Sequence, residues 1–380
     1  MLKVAYLHIL PLEYYPPACT FLDTLAAEKS VDVRVYTTCN LRGRKPYCNK
    51  SVTIDRGDAP NPGALRVLRL LTTIKWHVKT AFSLRRFQPD SIVYVEPHSA
   101  IAAWLFLRFF SGKARLYVHH HEFYEQRDFL RPGMQLPRIG NLKERQFLFP
   151  RAEWISQTNE DRLRLAMRDN PAISDTAWRV LPNYPPAEWC TKRDVNAAGW
   201  GQPVRLIYVG SASFEDTYIQ EITRWASRYP KDIQLHICGY NVKADVFEWL
   251  DQQRFSNVTY EPDGCAYEEL PSILTEFDIG LVLYKGNTTN FVFNIPNKVY
   301  EYLCCGLEVW YPTEMTSIKK FQGEHSLPLR ELDFSNLVHF DSSDLQPLGR
   351  APSRARDFTA EQAFDPLLAA MGVNERRARI

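Results

Sequence analysis

Asn294-Ile295-Pro296-Asn297-Lys298-Val299-Tyr300-Glu301-Tyr302-Leu303-Cys304-Cys305-Gly306 is the stretch that decides how the chain reads. Pro296 and Asn297 open a helix and Gly306 closes it, since proline suits the first helical turn and glycine the left-handed turn after the last. Lys298, Glu301 and Cys305 then share one face, and Val299, Tyr302 and Leu303 the other. A helix N-terminus with a lysine can hold a diphosphate, because free backbone N–H groups and an ammonium both attract it. A carboxylate one turn further in can accept hydrogen bonds from vicinal hydroxyls, as on a ribose. The same spacing equally describes a surface Lys298/Glu301 pair worth about 0.2–0.5 kcal/mol. Spacing alone leaves both readings open.

Working outward, short β-rich runs alternate with helical patterns in two series. The first has strands at Leu2 to Ile9, Val31 to Thr37, Ser91 to Glu96, Arg115 to His119 and Glu153 to Thr158, with helices near 18–30, 64–87, 98–111 and 139–149. After the proline cluster Leu181 to Pro186, the second has strands at Val204 to Gly210, Ile233 to Gly239, Val258 to Glu261, Asp278 to Tyr284 and Glu308 to Tyr311. Helices are expected between them near 215–229, 242–253, 267–276 and 297–305. Strands separated by helices imply parallel sheets built from βαβ units. The expected fold class is therefore α/β, with two Rossmann-like domains, 1–182 and 183–356, facing across a cleft. A C-terminal helix, 357–380, crosses back to the first domain. Thr359 and Gln362 read as a capping box, Phe364, Leu367, Leu368 and Met371 share a helical face, and Pro366 should kink or restart that helix.

The 380 residues suit two domains, and a composition 45% hydrophobic and 24% charged excludes disordered and low-complexity scaffolds. Glycine is scarce at 17 residues, and no glycine-rich phosphate loop occurs, which argues against a dinucleotide cofactor. Forty-six basic against 44 acidic residues leave +2, which gives no reason to expect nucleic acid as a partner. Segment 64–87 is locally basic and amphipathic. It reads either as a core-packed helix with a basic face or as a peripheral contact with an anionic membrane. The eight cysteines show no zinc or disulfide spacing and read as reduced thiols in a cytoplasmic protein. Met1 to Leu12 reads as a first strand rather than a signal peptide, and no apolar run approaches the ~20 residues of a membrane span.

The run Pro296-Asn297-Lys298-Val299-Tyr300-Glu301-Tyr302-Leu303-x-x-Gly306-Leu307-x-Val309 resembles the donor-site signature of GT-B glycosyltransferases, particularly the bacterial family-four enzymes that build capsule, O-antigen and exopolysaccharide. Ile207 to Ser211, Ile237 to Gly239 and Tyr267 to Tyr284 resemble the other donor-domain segments. Gln88 to Val93, Tyr117 to Glu122 and Val180 to Asn183 resemble acceptor-domain and linker segments. The resemblance implies that Glu301 holds the ribose of a nucleotide sugar, that Lys298 and the backbone of Asn294 to Asn297 face the diphosphate or sugar, and that Gly210 and Ser211 lie close to the phosphates. It places Tyr267 near the base and His121 against the donor sugar.

Departures accompany it. Phe293 stands where many members carry a second glutamate, and Ser211 to Asp216 offers no Arg or Lys to the phosphates.

His119-His120-His121-Glu122 is the other cluster. Adjacent strand residues point to opposite faces, so the three rings cannot converge on a metal, and none is expected. The catalytic candidates are His121 as a donor contact, Glu122 as a base, and His98 as a weaker base. Simple packing of the histidines is the alternative. The implied activity is transfer of a sugar from a nucleotide diphosphate sugar, a UDP-sugar being slightly favoured, to a hydroxyl of a glycan or lipid-linked glycan. The implied setting is cell-surface polysaccharide synthesis at the inner face of the membrane, without a cofactor. Two rivals share the fold, a nucleotide-sugar epimerase and a non-catalytic binding protein.

Overall fold

The computed structural model describes residues 1–40, 44–110, 113–191, 200–348 and 357–373. The expected boundary at 356 and the end of the 357–380 segment lie outside them. The chain divides into two compact units, Met1–Asn183 together with Ala360–Ile380, and Tyr184–Thr359.

The first unit contains strands β1 (Leu2–Leu7), β2 (Val31–Thr38), β3 (Val52–Gly57), β4 (Ser91–Val95), β5 (Arg115–His120), β6 (Ala152–Gln157) and β7 (Trp178–Val180). Its helices are α1 (Pro16–Ala26), α2 (Arg66–Phe87), α3 (Glu96–Phe109), α4 (Gln135–Lys143) and α5 (Glu160–Asp169). The strands pair in parallel in the order β3-β2-β1-β4-β5-β6-β7. A parallel sheet is covered on both faces, so its central strands β1 and β4 are largely apolar. In β1, Ala5 and Leu7 join Ile92 and Val118 in one core, while Leu2, Val4 and Tyr6 join Val33 and Val93 in the other.

The second unit repeats the plan with β8 (Val204–Gly210), β9 (Ile233–Gly239), β10 (Val258–Glu261), β11 (Ile279–Leu281), β12 (Glu308–Pro312) and β13 (Leu329–Leu332). Its helices are α6 (Ile219–Ser227), α7 (Ala244–Gln253), α8 (Leu270–Leu274), α9 (Thr289–Val292), α10 (Asn297–Cys304) and α11 (Thr316–His325). The order β10-β9-β8-β11-β12-β13 is again wholly parallel. Both sheets reverse their winding beside their first strand, the arrangement of doubly wound Rossmann-like folds.

The last helix, α12 (Ala360–Ala370), runs through Pro366 instead of breaking there. It belongs to the first unit. Phe364, Leu367, Leu368 and Met371 share a core with Phe21, Leu22 and Leu25 of α1, and the Phe364 and Phe21 rings meet edge to face at 5.0 Å. Its end is tied to β5, where Arg115 Nη1 and the Tyr117 hydroxyl donate to the Ala370 carbonyl at 3.0 and 2.9 Å. These bonds satisfy a carbonyl that the helix itself leaves open.

Some elements escaped the sequence pattern. Strands β3 and β13 lie at sheet edges and mix polar with apolar residues, β7 is three residues long, and α5 is strongly polar. The helix expected over 139–149 starts earlier, at Gln135, and passes after Lys143 into a π-helical turn, Glu144–Leu148.

The expectation of reduced thiols is corrected for four of the eight cysteines. Cys190 is disulfide-bonded to Cys304, and Cys238 to Cys265, with Cα separations of 4.6 and 6.1 Å. The partners stand 114 and 27 positions apart, so no local spacing announces them.

If α12 completes the first core, Phe364→Ala should destabilise that unit by about 3–5 kcal/mol, the usual cost of deleting a buried aromatic ring. Denaturant unfolding followed by fluorescence would read the loss, and an unchanged midpoint would contradict the packing described.

Candidate active site

In the second unit, β8 ends at Gly210, which has φ +150°. A Cβ placed there would lie 2.6 Å from Lys298 Nζ and 3.4 Å from the Tyr208 hydroxyl. The backbone conformation favours glycine there, and any larger residue would displace the Lys298 ammonium. Lys298 is the second residue of α10, and no side chain caps that helix's N-terminus. Its ammonium is buried, stands 4.6 Å from the Tyr208 ring centroid and 5.0 Å from that of Tyr284, and has no hydrogen-bond partner among the described residues. Burial lowers its pKa to about 8, opposed by the nearby Glu301 carboxylate.

Glu301, one turn on, is also buried and accepts a 2.7 Å bond from Asn297 Nδ2. Burial raises its pKa to about 7, against the effects of Asn297, Lys298 and Tyr267, whose hydroxyl bonds the same carboxylate. The reading of Lys298 and Glu301 as an exposed surface pair is thereby excluded, since they are 5% and 4% exposed.

The structure thus gathers Gly210 with Lys298, and Asn297 and Tyr267 with Glu301. Ser211 follows Gly210, its carbonyl accepting from the Tyr208 hydroxyl at 2.5 Å. Asn294 lies in the turn before α10, where its amide donates to Phe291, and it makes no hydrogen bond to Lys298 or Glu301. Sequence reasoning missed Tyr208 and Tyr284, the rings around the ammonium, and Lys285. The Lys285 ammonium donates to the Phe214 carbonyl at 2.9 Å and lies 3.2 Å from Glu221. A cation from beyond β11 therefore reaches the 211–216 loop, which has none of its own. The lysine directly after a predicted strand was the available signal.

In the first unit, β5 confirms the period of two. The His119 and His121 rings lie 4.4 Å apart, while His120 turns the other way and bonds Glu144 at 2.9 Å. His121 Nδ1 pairs with the Asn183 side chain at 3.0 Å, and its Nε2 is buried with no partner among the described residues. His98 Nδ1 is likewise unpartnered. Glu122 is placed differently from a free base. Its carboxylate lies 3.3 Å from Arg162 Nη2, and Arg162 Nη1 also donates to the His121 carbonyl at 2.6 Å.

Glu96, which the sequence reading passed over, ties this cluster together. It follows β4 as the first residue of α3, with φ +64°, a conformation costly for a residue bearing Cβ. Its Oε1 accepts the backbone N–H groups of both His121 and Glu122, at 2.7 and 3.0 Å. Burial raises the Glu96 pKa to about 8. Burial also holds His8 and His98 down to about 4 and His77 and His121 to about 3. His120 is raised, because the Glu144 carboxylate outweighs the cost of burial.

One further grouping brings ligand atoms of His236, Glu261 and Cys265 within 4.8 Å of one another. The Cys265 sulfur is committed to Cys238, so it offers no thiolate.

No family model and no curated protein matches the chain. Solved structures do. A lipopolysaccharide outer core galactosyltransferase, WaaB, is similar at TM-score 0.62 and 14% identity, over 98% of this chain and 100% of that one. Sucrose-phosphate synthase from Thermosynechococcus elongatus is similar at 0.66 and 13%, over 100% and 99%. Anabaena HepE, solved in complex with UDP and glucose, is similar at 0.61 and 11%, over 100% and 99%.

The histidines set a pH dependence for the first unit. The unfolded chain protonates these rings below about 6.5, whereas the folded unit resists until about 4 or below. Their contribution is complete above 6.5 and lost as pH falls towards 4. Glu96 acts in the opposite sense, its contribution being lost as pH rises through about 8. Thermal melts should therefore drop steeply between pH 6.5 and 4.5. His77→Leu, which breaks no hydrogen bond, should flatten that slope; an unchanged slope would contradict a buried neutral ring.

In fold, the chain is a GT-B protein, two Rossmann-like units like those of the glycosyltransferases it resembles.

Proposed function

We propose that the protein transfers a sugar from a nucleotide diphosphate sugar, a UDP-sugar being favoured, to a hydroxyl of a glycan or lipid-linked glycan in cell-surface polysaccharide synthesis. The observation that carries this reading is the buried Lys298 ammonium, unpartnered among the described residues, beside Gly210 and at the start of α10. A buried charge is retained only where something compensates it, and a diphosphate would supply two negative groups within reach. The similar structures support the reading. WaaB is a galactosyltransferase, and HepE was solved with UDP and glucose.

In this proposal Lys298 and the first-turn amides of α10 stabilise charge on the departing diphosphate, the term that usually dominates such a step. Glu301, steadied by Asn297 and Tyr267, accepts the ribose hydroxyls. His121 offers its neutral Nε2 to a sugar hydroxyl. Glu122 is engaged by Arg162, so the proposal assigns it positioning and gives the acceptor proton to the leaving diphosphate oxygen. The acceptor oxygen bonds the anomeric carbon as the carbon–oxygen bond to diphosphate breaks, on the same face of the ring.

Calorimetric titration with UDP, GDP, CDP and dTDP tests the reading, and UDP should bind most tightly. Glu301→Ala should weaken UDP by about ten- to a hundredfold, the worth of hydrogen bonds to a charged group. Lys298→Ala should lower kcat by about 10²–10³-fold. Wild-type binding and turnover in both variants would refute the assignment, and conversion of donor without acceptor would indicate an epimerase.

Binding should also take up protons. At pH 8.5 much of Lys298 is neutral in the free protein, and an arriving diphosphate favours its ammonium form. Titrations in buffers of different ionisation enthalpy should show net uptake, which Lys298→Met should abolish.

A further inference from the structure

We infer that the exposed apolar face of α2 is a docking surface for an anionic phospholipid bilayer. Only the second half of this helix reaches the core, through Trp76, His77, Thr80, Ala81, Leu84 and Phe87. The first half carries large aliphatic side chains into solvent, with Leu65 75%, Val67 66%, Leu68 52% and Leu71 54% exposed. Core packing therefore accounts for only some of the apolar residues of segment 64–87. At 100° per residue, Val67, Leu71, Ile74, Val78 and Phe82 fall in a single stripe along the outer side. All of them are exposed. The stripe continues onto the end of α3, where the Phe82 ring meets Phe110 at 5.1 Å and Phe109 stands 61% exposed.

Charge selects the occupant. Between Arg66 and Phe87 there is no Asp or Glu. Lys75, Lys79 and Arg86 follow the stripe along one edge, and Arg66 and Arg69 stand at its start. Lys75 and Lys79 reach only the acids of a neighbouring segment, Asp58 at 3.0 Å and Asp55 at 3.4 Å, and both lysines remain largely open to solvent. A second copy of this helix would set cations against cations with no acid on either helix to offset them. A bilayer meets both demands, since acyl chains receive the stripe and lipid phosphates the flanking cations. Among the described residues no helix is long and apolar enough to cross a membrane, so α2 would lie in the interface. The inference does not depend on the sugar-transfer reading, because its readout needs neither donor nor acceptor.

The test is co-flotation of the full chain with phosphatidylcholine vesicles and with vesicles containing phosphatidylglycerol, at low and high salt. The expected result is binding to the phosphatidylglycerol vesicles at low salt and release at high salt. Lys75→Gln with Lys79→Gln should lower partitioning by about fivefold per charge removed. A triple Val67→Ser, Leu71→Ser, Ile74→Ser variant should lower it at least about tenfold even at low salt. These positions are solvent-exposed, and melting curves together with circular dichroism would establish that the variants fold. No association at low salt, or equal association of the triple variant, would overturn the inference. So would a concentration-dependent dimer in sedimentation that the triple variant abolishes, since the face would then pair with a second copy.

Discussion

A parallel sheet gains its stability by being covered on both faces, and that requirement arranges everything else in this chain. Once helices occupy the faces, only the ends of the strands remain open for polar chemistry. The candidate groups stand where the ladders stop. Gly210 closes β8, Glu96 follows β4 and His121 follows β5. Backbone amides are released from sheet pairing at these points, and the chain takes up conformations that a strand interior forbids, as the positive φ of Glu96 and Gly210 shows. The position of the chemistry follows from the position of the hydrophobic surface.

Each unit also keeps ionisable groups where water does not reach. Around Lys298 the compensation is partial, two tyrosine rings at cation–π distance in place of hydrogen-bond acceptors. Around Glu96 it is fuller, because two main-chain donors meet one carboxyl oxygen and bind the turn after β5 to the turn after β4. The first arrangement leaves an attraction to be satisfied by something arriving. The second fixes the geometry of its neighbours whatever arrives.

Much of this was legible because it depends on neighbours in sequence. The Pro296 to Gly306 helix, the run of βα alternation and the two-residue period of His119 to His121 are local, and local pattern reports them. What escaped depends on distant partners. Glu96 looks like an ordinary strand end until the backbone of His121 is beside it, and Glu122 looks like a free base until Arg162 arrives from α5. The disulfides join positions that no spacing rule relates. The amphipathic reading of 64–87 left its face undecided for the same reason, since exposure belongs to the folded chain.

The return of α12 to the first unit has a consequence for biosynthesis. Phe364, Leu367, Leu368 and Met371, with Ala360 and Val373, fill a core whose other buried members all lie before residue 182. During synthesis that core waits, one side open, while the whole of the second unit emerges and can close its own sheet. The first unit to be made is thus the last to be finished, and its unfilled surface is what a ribosome-associated chaperone would meet.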